Sequence, residues 1–310
     1  REFPDYIPKL NKREFGFTVT FHMVGCPHDA KPDNYMGILK KDQDGDVIEI
    51  SSKGIDEDLC FAFPLIRNLK GQHLVDVRSF FFCLPQMYEP IHPDVIAHFK
   101  AQCPASIVLQ WLSELWDNNQ QTVQFIQEGH EEAKTLKGRR MPLVLIPELP
   151  SNIFQKLVAI ANFMHQADKS ATYMDLFKAV DPILAYFYDF INKRYKNDYA
   201  QAFEDIFYAS PIYEQLLQPY LQQQIASERT LAEDLKEFTY KHEDFLRLRK
   251  TAPQTAAEIF LEALDFSTLS VEDQQQVLKI LSHFPLSELT LRNCKALDDA
   301  EMVSLMRSQK

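Results

Sequence analysis

The sequence predicts a mostly α-helical chain with small β elements (α+β), and three observations support this fold class. Long segments between residues 93 and 238 repeat apolar side chains at helical spacing. Two short apolar runs flank an Asp-Gly turn, which indicates one β-hairpin. Near the C-terminus a pattern recurs after 25 residues, and a period of that length is typical of stacked strand-helix units.

Residues 1–35 are predicted to be an N-terminal extension whose role the sequence does not reveal. Within it, the apolar run 15–24 is strand-like. His22 lies on this run, where a histidine is more often a satisfied core residue than a metal ligand. Cys26 and His28 follow, but no second pair of ligands stands at zinc-finger spacing, so we expect no metal site here.

A two-stranded ribbon is predicted next. Residues 35–39 and 47–50 are apolar runs on either side of the turn 42–46, which contains Asp44-Gly45. An apolar stretch at 59–69 then predicts a short helix, although its proline limits the regularity of that helix.

Helical patterns dominate the middle of the chain. In the stretch 72–140, residues 93–96 and 106–116 are the predicted helix cores. Residues 143–146 have the length and composition of a buried strand, and a strongly amphipathic helix opens at Pro150. The stretch 171–238 is helical and rich in Tyr and Phe, which we interpret as core packing rather than base stacking or a cofactor site.

The 25-residue repeat pairs four positions of each copy: Leu261, Leu264, Phe266 and Leu269 recur as Leu286, Leu289, Leu291 and Cys294. This is the L-x-x-L-x-L-x-x-N/C pattern of a leucine-rich repeat, and each copy continues into a helix. Two units are too few to bury their apolar faces. We therefore expect either a longer array, of which this chain holds the beginning, or an unusual cap in the second copy.

Composition limits the classes of function. The chain has 310 residues, 45% of them hydrophobic, which leaves room for about two domains. The net charge of −11 and the dispersed basic residues disfavour nucleic-acid binding, and no apolar run is long enough to predict a membrane span. Five scattered cysteines form no disulfide framework, so we expect a reducing, cytoplasmic environment.

No catalytic residue, metal ligand or cofactor can be assigned from the sequence. It contains no phosphate-binding glycine loop and no H-E-x-x-H motif. One alternative stays open, a thiol-dependent enzyme of the deubiquitinase type with Cys60 or Cys103 as its nucleophile. The carboxylates at 56–58 would raise the pKa of Cys60 and oppose thiolate formation, which favours a structural cysteine.

Three segments of the sequence form a recognisable pattern when they are taken in chain order. The first is Q-D-G-D-V-I-E-I at 43–50, a turn leading into a strand. The second runs from 143 to 158, an apolar strand ending in Ile-Pro and followed by a helix that begins I-F-Q-K-L-V. The third contains F-E-D-I-F-Y-A at 203–209 and T-L-A-E-D-L-K-E-F at 230–238. Together they resemble the Skp/BTB-POZ family, the small α/β adaptors of cullin-type ubiquitin ligases.

The resemblance implies a domain organisation. Residues 36–240 would form a BTB/POZ-like α/β domain with a long helical insertion at 72–140, followed by a connecting helix at 241–260 and leucine-rich repeats at 261–310. The cullin-facing candidates are Ser210, Pro211, Ile212 and Tyr213, where the family's Asn-Tyr pair is absent. The repeat strands would present a concave face made of Asp265, Ser267, Glu288, Thr290 and Arg292.

The expected function is therefore a non-enzymatic protein–protein interaction adaptor. It would link a cullin-type ubiquitin ligase machinery to a target protein held by the repeats. The resemblance also implies a eukaryotic cytoplasm, or a host cytoplasm if a bacterium delivers the protein. Besides the thiol enzyme, a second alternative is a BTB-like scaffold that forms homodimers and binds no cullin.

Overall fold

A computed structural model describes residues 7–54, 60–61, 65–67, 73–127, 149–196, 198–207 and 242–282. Helices account for most of these residues, as the fold class predicted. In chain order they are α1 Lys12–Gly25, α2 Pro93–Lys100, α3 Pro104–Gln127, α4 Leu149–Gln166, α5 Tyr173–Val180, α6 Pro182–Tyr195, α7 Tyr199–Phe207, α8 His242–Ala263 and α9 Val271–Leu281. Short 3-10 turns occur at Ile7–Lys9, Pro32–Asn34, Phe80–Cys83, Pro85–Tyr88 and Phe266–Thr268.

The β elements are two small antiparallel pairs. Strand β1, Tyr35–Lys41, pairs with β2, Val47–Gly54, as the sequence predicted. Strand β3, Leu65–Arg67, pairs with β4, His73–Val75. The helix predicted at 59–69 is wrong over its described centre, because Leu65 and Ile66 face Val75 and Leu74 across an antiparallel ladder.

The strand predicted at 15–24 is also wrong, because these residues lie in α1. Phe15, Val19 and Met23 are buried and recur every four residues, which places them on one helix face. The helix begins at Asn11, whose side chain accepts the backbone N–H of Glu14 at 2.9 Å. Tertiary burial of this face outweighs the strand propensity of the β-branched and aromatic residues.

The chain divides into two compact units. The first comprises Arg1–Ala101 and Lys156–Phe238, and the second comprises Gln102–Gln155 and Thr239–Lys310. The boundary falls inside α4, after Gln155. The stretch from Gln102 onward is thus grouped with the C-terminal helices, whereas the predicted organisation placed it in an insertion of the 36–240 domain. Those predicted domain identities rest on the resemblance and stay a prediction.

The first unit is built around aromatic side chains. Phe15 and Tyr173 meet edge to face with ring centres 5.4 Å apart, and Phe82 stacks on Phe177 at 4.3 Å. Tyr188 is fully buried, accepts the N–H of Ser79 at 3.1 Å and donates to the carbonyl of Val77 at 3.1 Å. The prediction that the aromatic residues of 171–207 pack in a core is confirmed for most of them, although Tyr186 is exposed.

In the second unit α3 packs against α8 and α9. Val108 and Leu112 of α3 are fully buried, as are Val277 and Leu281 of α9. Helix α8 covers the predicted connecting helix at 241–260 from His242 onward and continues to Ala263. Residues 143–146, for which a buried strand was predicted, lie outside the described residues.

The first copy of the 25-residue pattern differs from the predicted strand-helix unit at its beginning. Leu261 belongs to the last turn of α8, and the segment after Leu264 forms the 3-10 turn Phe266–Thr268 instead of an extended strand. The helical half is confirmed as α9. Leu261, Leu264 and Phe266 are buried, as repeat leucines should be. The second copy, 286–310, lies outside the described residues, so the repeat stays a prediction.

Candidate interaction surface

The ribbon formed by β1 and β2 is the most exposed regular element of the described chain. Its strands pair in register from Tyr35 opposite Gly54 to Lys40 opposite Glu49. The register then shifts and leaves Ile48 without a partner residue, which is the signature of a β-bulge. The turn is closed by the Asp42 carboxylate, which accepts the N–H groups of Asp44 and Asp46 at 3.0 and 2.9 Å.

Glycine suits this turn for a conformational reason. Gly45 has a φ of +89°, in the region that L-residues rarely adopt. The Asp-Gly pair that predicted the hairpin therefore has the geometry that the turn requires. This part of the sequence prediction is confirmed in both position and type.

One side of the ribbon is anchored to the first unit. Ile50 of β2 is 5% exposed, and its carbonyl accepts the N–H of Asn11 at 2.8 Å. The ring of Tyr35 meets Phe81 edge to face at 4.8 Å, and its hydroxyl lies 3.0 Å from Nε2 of His22. These contacts fix the ribbon at its base because they join both strands to α1 and the aromatic core.

His22 is a buried polar link between the ribbon and the core. Its Nδ1 lies 2.7 Å from the hydroxyl oxygen of Ser79, while Nε2 faces Tyr35. Desolvation lowers the pKa of His22 to about 3, so the imidazole is neutral near pH 7. The sequence interpretation of His22 as a satisfied core residue is confirmed, with the correction that it lies on a helix.

The ribbon also exposes apolar residues. Met36, Ile38, Leu39 and Ile48 keep between 45% and 54% of their surface accessible, although Leu39 lies opposite Ile50 on the anchored side. Met36 and Ile38 share one face of β1, because they are two positions apart. Every residue of β1 after Tyr35 is exposed, and in the described chain β2 is the sole strand beside it. Such an edge offers backbone N–H and C=O groups to another strand.

Charged residues border this apolar patch. Lys53 lies opposite Met36, and Lys40 lies two positions beyond Ile38. The ammonium of Lys40 is 3.5 Å from the carboxylate of Glu49. Both members of that pair are exposed, so water screens their attraction and the pair contributes little to stability. The patch therefore has an apolar centre and lysines near both ends.

The surface was not recognised as a site from the sequence, although the sequence carries a signal for it. Met36, Ile38 and Leu39 are apolar on both faces of a strand that has just one strand neighbour in the described chain. A half-buried strand would alternate apolar and polar residues instead. Only the tertiary structure shows that every residue of β1 after Tyr35 is exposed.

The predicted concave face of the repeats is described in part. Asp265 accepts both the N–H of Ser267 at 3.0 Å and its hydroxyl at 2.7 Å, and so caps the 3-10 turn. Ser267 is exposed, and Asp265 is half-buried. Glu288, Thr290 and Arg292 lie outside the described residues, as do the cullin-facing candidates Ser210, Pro211, Ile212 and Tyr213. Both predicted groups therefore stay predictions.

The two cysteines considered as nucleophiles have different surroundings. Cys103 is 5% exposed, and burial raises its pKa even though Ser106 lowers it through hydrogen bonds. A buried thiol of this kind is a poor nucleophile, because the thiolate is the reactive form. Cys60 is exposed, and residues 55–59 and 62–64 around it lie outside the described chain. The thiol-enzyme alternative stays a prediction.

Within the described part of the chain, no three His, Cys, Asp or Glu side chains gather in a way that could hold a metal ion. None of the described helices combines the length and apolar character needed to cross a bilayer. Comparison of the chain with protein-family models, with curated proteins and with solved structures finds no match.

Proposed function

We propose that this chain is a non-enzymatic protein–protein interaction adaptor, and that β1 takes an extended strand of a partner protein. The observation that carries the proposal is the exposed apolar face and edge of β1, on a ribbon that Ile50 and Tyr35 anchor at its base. Addition of a strand to such an edge is a common mode of peptide recognition. Backbone hydrogen bonds supply affinity, and alternate side chains supply specificity.

The size of the surface favours a peptide over a globular partner. A stable protein–protein interface buries about 800 Å² on each partner and involves some 20–30 residues a side. Strand β1 has seven residues, of which three are large, apolar and exposed. A surface of this size matches one extended peptide segment of similar length. A second copy of the chain docked through this strand alone would bury too little surface for a stable dimer.

The charges near the patch define the chemistry of that segment. Its centre should alternate apolar and polar residues to cover Met36 and Ile38. The end beside Met36 should carry Asp or Glu, because Lys53 lies opposite Met36, whereas Lys40 near the other end already pairs with Glu49. We therefore expect an acidic, β-forming peptide rather than a basic one.

Selection from a random displayed peptide library on the full chain tests this proposal. The enriched sequences should share alternating apolar residues with an acidic residue at one end, and synthetic copies should bind the wild-type chain. Ile38→Lys should weaken that binding at least about tenfold, because it places a charge in the apolar centre. Val271→Lys is the matched control, since Val271 is equally apolar, 69% exposed and far from the ribbon in the sequence.

Two outcomes would overturn the proposal. One is an absence of enriched peptides, or enriched peptides that bind Ile38→Lys as tightly as wild type. The other is a dimer in light scattering that Ile38→Lys converts to monomer, because the occupant of β1 would then be a second copy of this chain. Circular dichroism of each variant shows whether the fold is retained.

The resemblance to Skp/BTB-POZ adaptors suggests a specific form of this role. In that form the chain would bind a cullin through Ser210, Pro211, Ile212 and Tyr213 and a target protein through the leucine-rich repeats. The direct test mixes the purified chain with a cullin at micromolar concentration and measures the mass of any complex. A wild-type complex that Tyr213→Ala weakens would support the ligase role. The absence of a complex would remove the ligase role and leave the strand-addition proposal to its own test.

A further inference from the structure

Cys26 occupies an unusual position at the end of α1. It follows the last helical residue, adopts a left-handed conformation with a φ of 45°, and donates its N–H to the carbonyl of His22 at 3.0 Å. Non-glycine residues seldom adopt this conformation, and at a helix end it is usually glycine that does. The side chain of Cys26 is 5% exposed and packs in the core of the first unit.

The side chain of Cys26 meets a lysine from another helix. Lys156 of α4 places its Nζ 2.6 Å from Sγ of Cys26 and 3.1 Å from the carbonyl oxygen of Met23. Hydrogen bonds from nitrogen to oxygen span about 2.7–3.2 Å, and sulfur is a larger atom than oxygen. A separation of 2.6 Å is therefore shorter than an ordinary N–H···S contact. The distance between Nζ and Sγ is compatible with a single atom bonded to both.

The surroundings supply the groups that such a bond needs. Burial raises the pKa of Cys26 overall, as it does for Cys103, and the positive charge of Lys156 and its hydrogen bond offset part of that rise by favouring the thiolate. Unlike Cys103, Cys26 has this cation 2.6 Å from its sulfur. The buried carboxyl of Asp181 is also coupled to Lys156. This carboxyl accepts the N–H of Leu184 at 3.1 Å, so its position is fixed by the start of α6. Lys156 thus interacts electrostatically with both Cys26 and Asp181.

We propose that Cys26 and Lys156 are a modification site at which a peroxide oxidant forms a covalent N–O–S crosslink. In the first step the Cys26 thiolate attacks hydrogen peroxide, and after proton uptake the products are the sulfenic acid and water. In the second step Lys156 gives up one proton, and its amine, the sulfenic acid and a second hydrogen peroxide give S–O–N and two waters. Sulfur and nitrogen are oxidised, and both peroxides are reduced.

The other cysteines of the described chain provide contrasts. Cys83 is buried, and desolvation raises its pKa with no contribution from a lysine. Cys103 is influenced by Ser106 and Asp273, neither of which carries an amine. The amine at contact distance therefore distinguishes Cys26 from these two cysteines. Chemical oxidation of Cys83 or Cys103 should stop at the oxygen acids of sulfur.

The crosslink would connect two distant parts of the first unit. Cys26 ends α1, and Lys156 lies in α4, 130 positions further along the sequence. A covalent link across so long a loop restricts the unfolded chain and stabilises the folded one, as a disulfide does. Reduction by a thiol would reverse it. The site would therefore couple the stability of the first unit to the oxidant level around the protein.

Mass spectrometry of the full chain before and after hydrogen peroxide treatment tests the proposal. Formation of the crosslink adds one oxygen and removes two hydrogens, a gain of about 14 Da, whereas a sulfenic acid adds about 16 Da. Trypsin should then yield one linked pair of peptides that contains Cys26 and an uncleaved Lys156. Dithiothreitol should separate the pair again.

Variants separate the crosslink from ordinary oxidation. Lys156→Arg keeps the positive charge but should abolish the linked peptide, and Cys26→Ser should do the same. Cys103→Ser should leave its yield unchanged. Thermal unfolding of the oxidised wild type should rise in Tm and return after reduction, and this readout needs no variant to fold.

Several results would overturn the proposal. Cys26 could carry oxygen while Lys156 remains open to trypsin, or the linked pair could persist in Lys156→Arg. A loss of about 2 Da in the linked pair would mean a direct sulfur–nitrogen bond and would exclude the bridging oxygen. An unchanged mass at both residues after peroxide treatment that oxidises Cys60 would show that the site is inert.

Discussion

The two compact units bury different kinds of side chains. The core of the first unit contains nine aromatic residues among those described: Phe15, Phe80, Phe81, Phe82, Phe99, Tyr173, Phe177, Phe187 and Tyr188. The second unit buries Phe260 and Phe266, and otherwise mostly aliphatic residues of α3, α8 and α9. Large rings leave edges and hydroxyl groups that need partners, whereas aliphatic side chains need none.

Polar residues follow the same division. Among the described residues, the buried polar or charged side chains of the first unit are Thr20, His22, Asn34, Asp76, Ser79, Gln86, Asp181 and Asp189, whereas the second unit has Ser106. A buried titratable group makes stability depend on pH. The first unit should therefore respond to pH and to oxidants, and the second should depend mainly on how well its helices pack.

Acid should produce the largest difference between the two units. The pKa of His22 falls from 6.5 to about 3 on burial, so the unfolded chain binds a proton that the folded chain does not. The contribution of neutral His22 to the unfolding free energy is fully present above pH 6.5. It declines between pH 6.5 and about 3, by about 1.4 kcal/mol per pH unit. Urea unfolding of wild type and His22→Gln at pH 7, 5 and 4 should show this decline in wild type alone.

The tryptophans allow the second unit to be followed separately. The chain has two, Trp111 and Trp116, and both lie in α3. Tryptophan fluorescence should therefore report the second unit, while tyrosine near-ultraviolet circular dichroism reports mainly the first. Transitions that move together with pH, or an equal decline in His22→Gln, would contradict the division.

The next largest effect concerns the packing of α1 against the aromatic core. A Cβ added at Gly16 would lie 2.7 Å from Cγ2 of Val95 and would clash with the hydroxyl of Tyr173. Gly16→Ala should cost about 1–3 kcal/mol of unfolding free energy, because overpacking outweighs the better helix propensity of alanine. Chemical denaturation followed by tyrosine circular dichroism measures it.

Gly25→Ala is the matched control for that substitution. It lies in the same helix, and an added Cβ would meet nothing within 4 Å. It should be neutral or stabilise the chain by up to about 1 kcal/mol. Equal effects at Gly16 and Gly25 would mean that α1 is loosely packed against Tyr173 and Val95.

The smallest effect concerns His28, whose pH dependence should have the opposite sign from that of His22. Its Nδ1 lies 2.6 Å from Oδ1 of Asp76, and this contact raises the pKa of His28. The His28–Asp76 pair therefore stabilises the fold below pH 6.5. This stabilisation is lost as the pH rises through the raised pKa of His28. We expect about 0.5 kcal/mol at pH 5.5, because the imidazole is partly exposed and water screens the pair.

A double-mutant cycle measures that coupling. Unfolding free energies of wild type, His28→Asn, Asp76→Asn and the double variant should give a coupling energy at pH 5.5 that shrinks at pH 9. A coupling that grows with pH would contradict the assigned sign.

The sequence predicted elements well where local chemistry decides them. The Asp-Gly turn specified the ribbon, and the helical period specified α2, α3, α4 and α5 to α7. The prediction from the sequence failed at α1, where Phe15, Thr18 and Val19 favour a strand by propensity. The cap formed by Asn11 and Glu14 was the local signal for a helix that the strand-like alternation outweighed.

The candidate surface and the crosslink site could be predicted even less well. Exposure of Met36 and Ile38 depends on what packs against β1, and a local pattern does not contain that information. The contact of Cys26 with Lys156 joins residues 130 positions apart, and each looks ordinary in its own segment. The sequence therefore gives no sign that these two residues are in contact.

The amino-acid sequence is enough to predict a mostly helical, acidic chain with one tight hairpin, because turn geometry, hydrophobic period and charge are properties of neighbouring residues. Three features emerged from the folded chain alone: α1 is a helix, β2 is the one described strand that pairs with β1, and Lys156 reaches Cys26. These outcomes depend on burial and distance between remote segments, which arise only when the chain is folded.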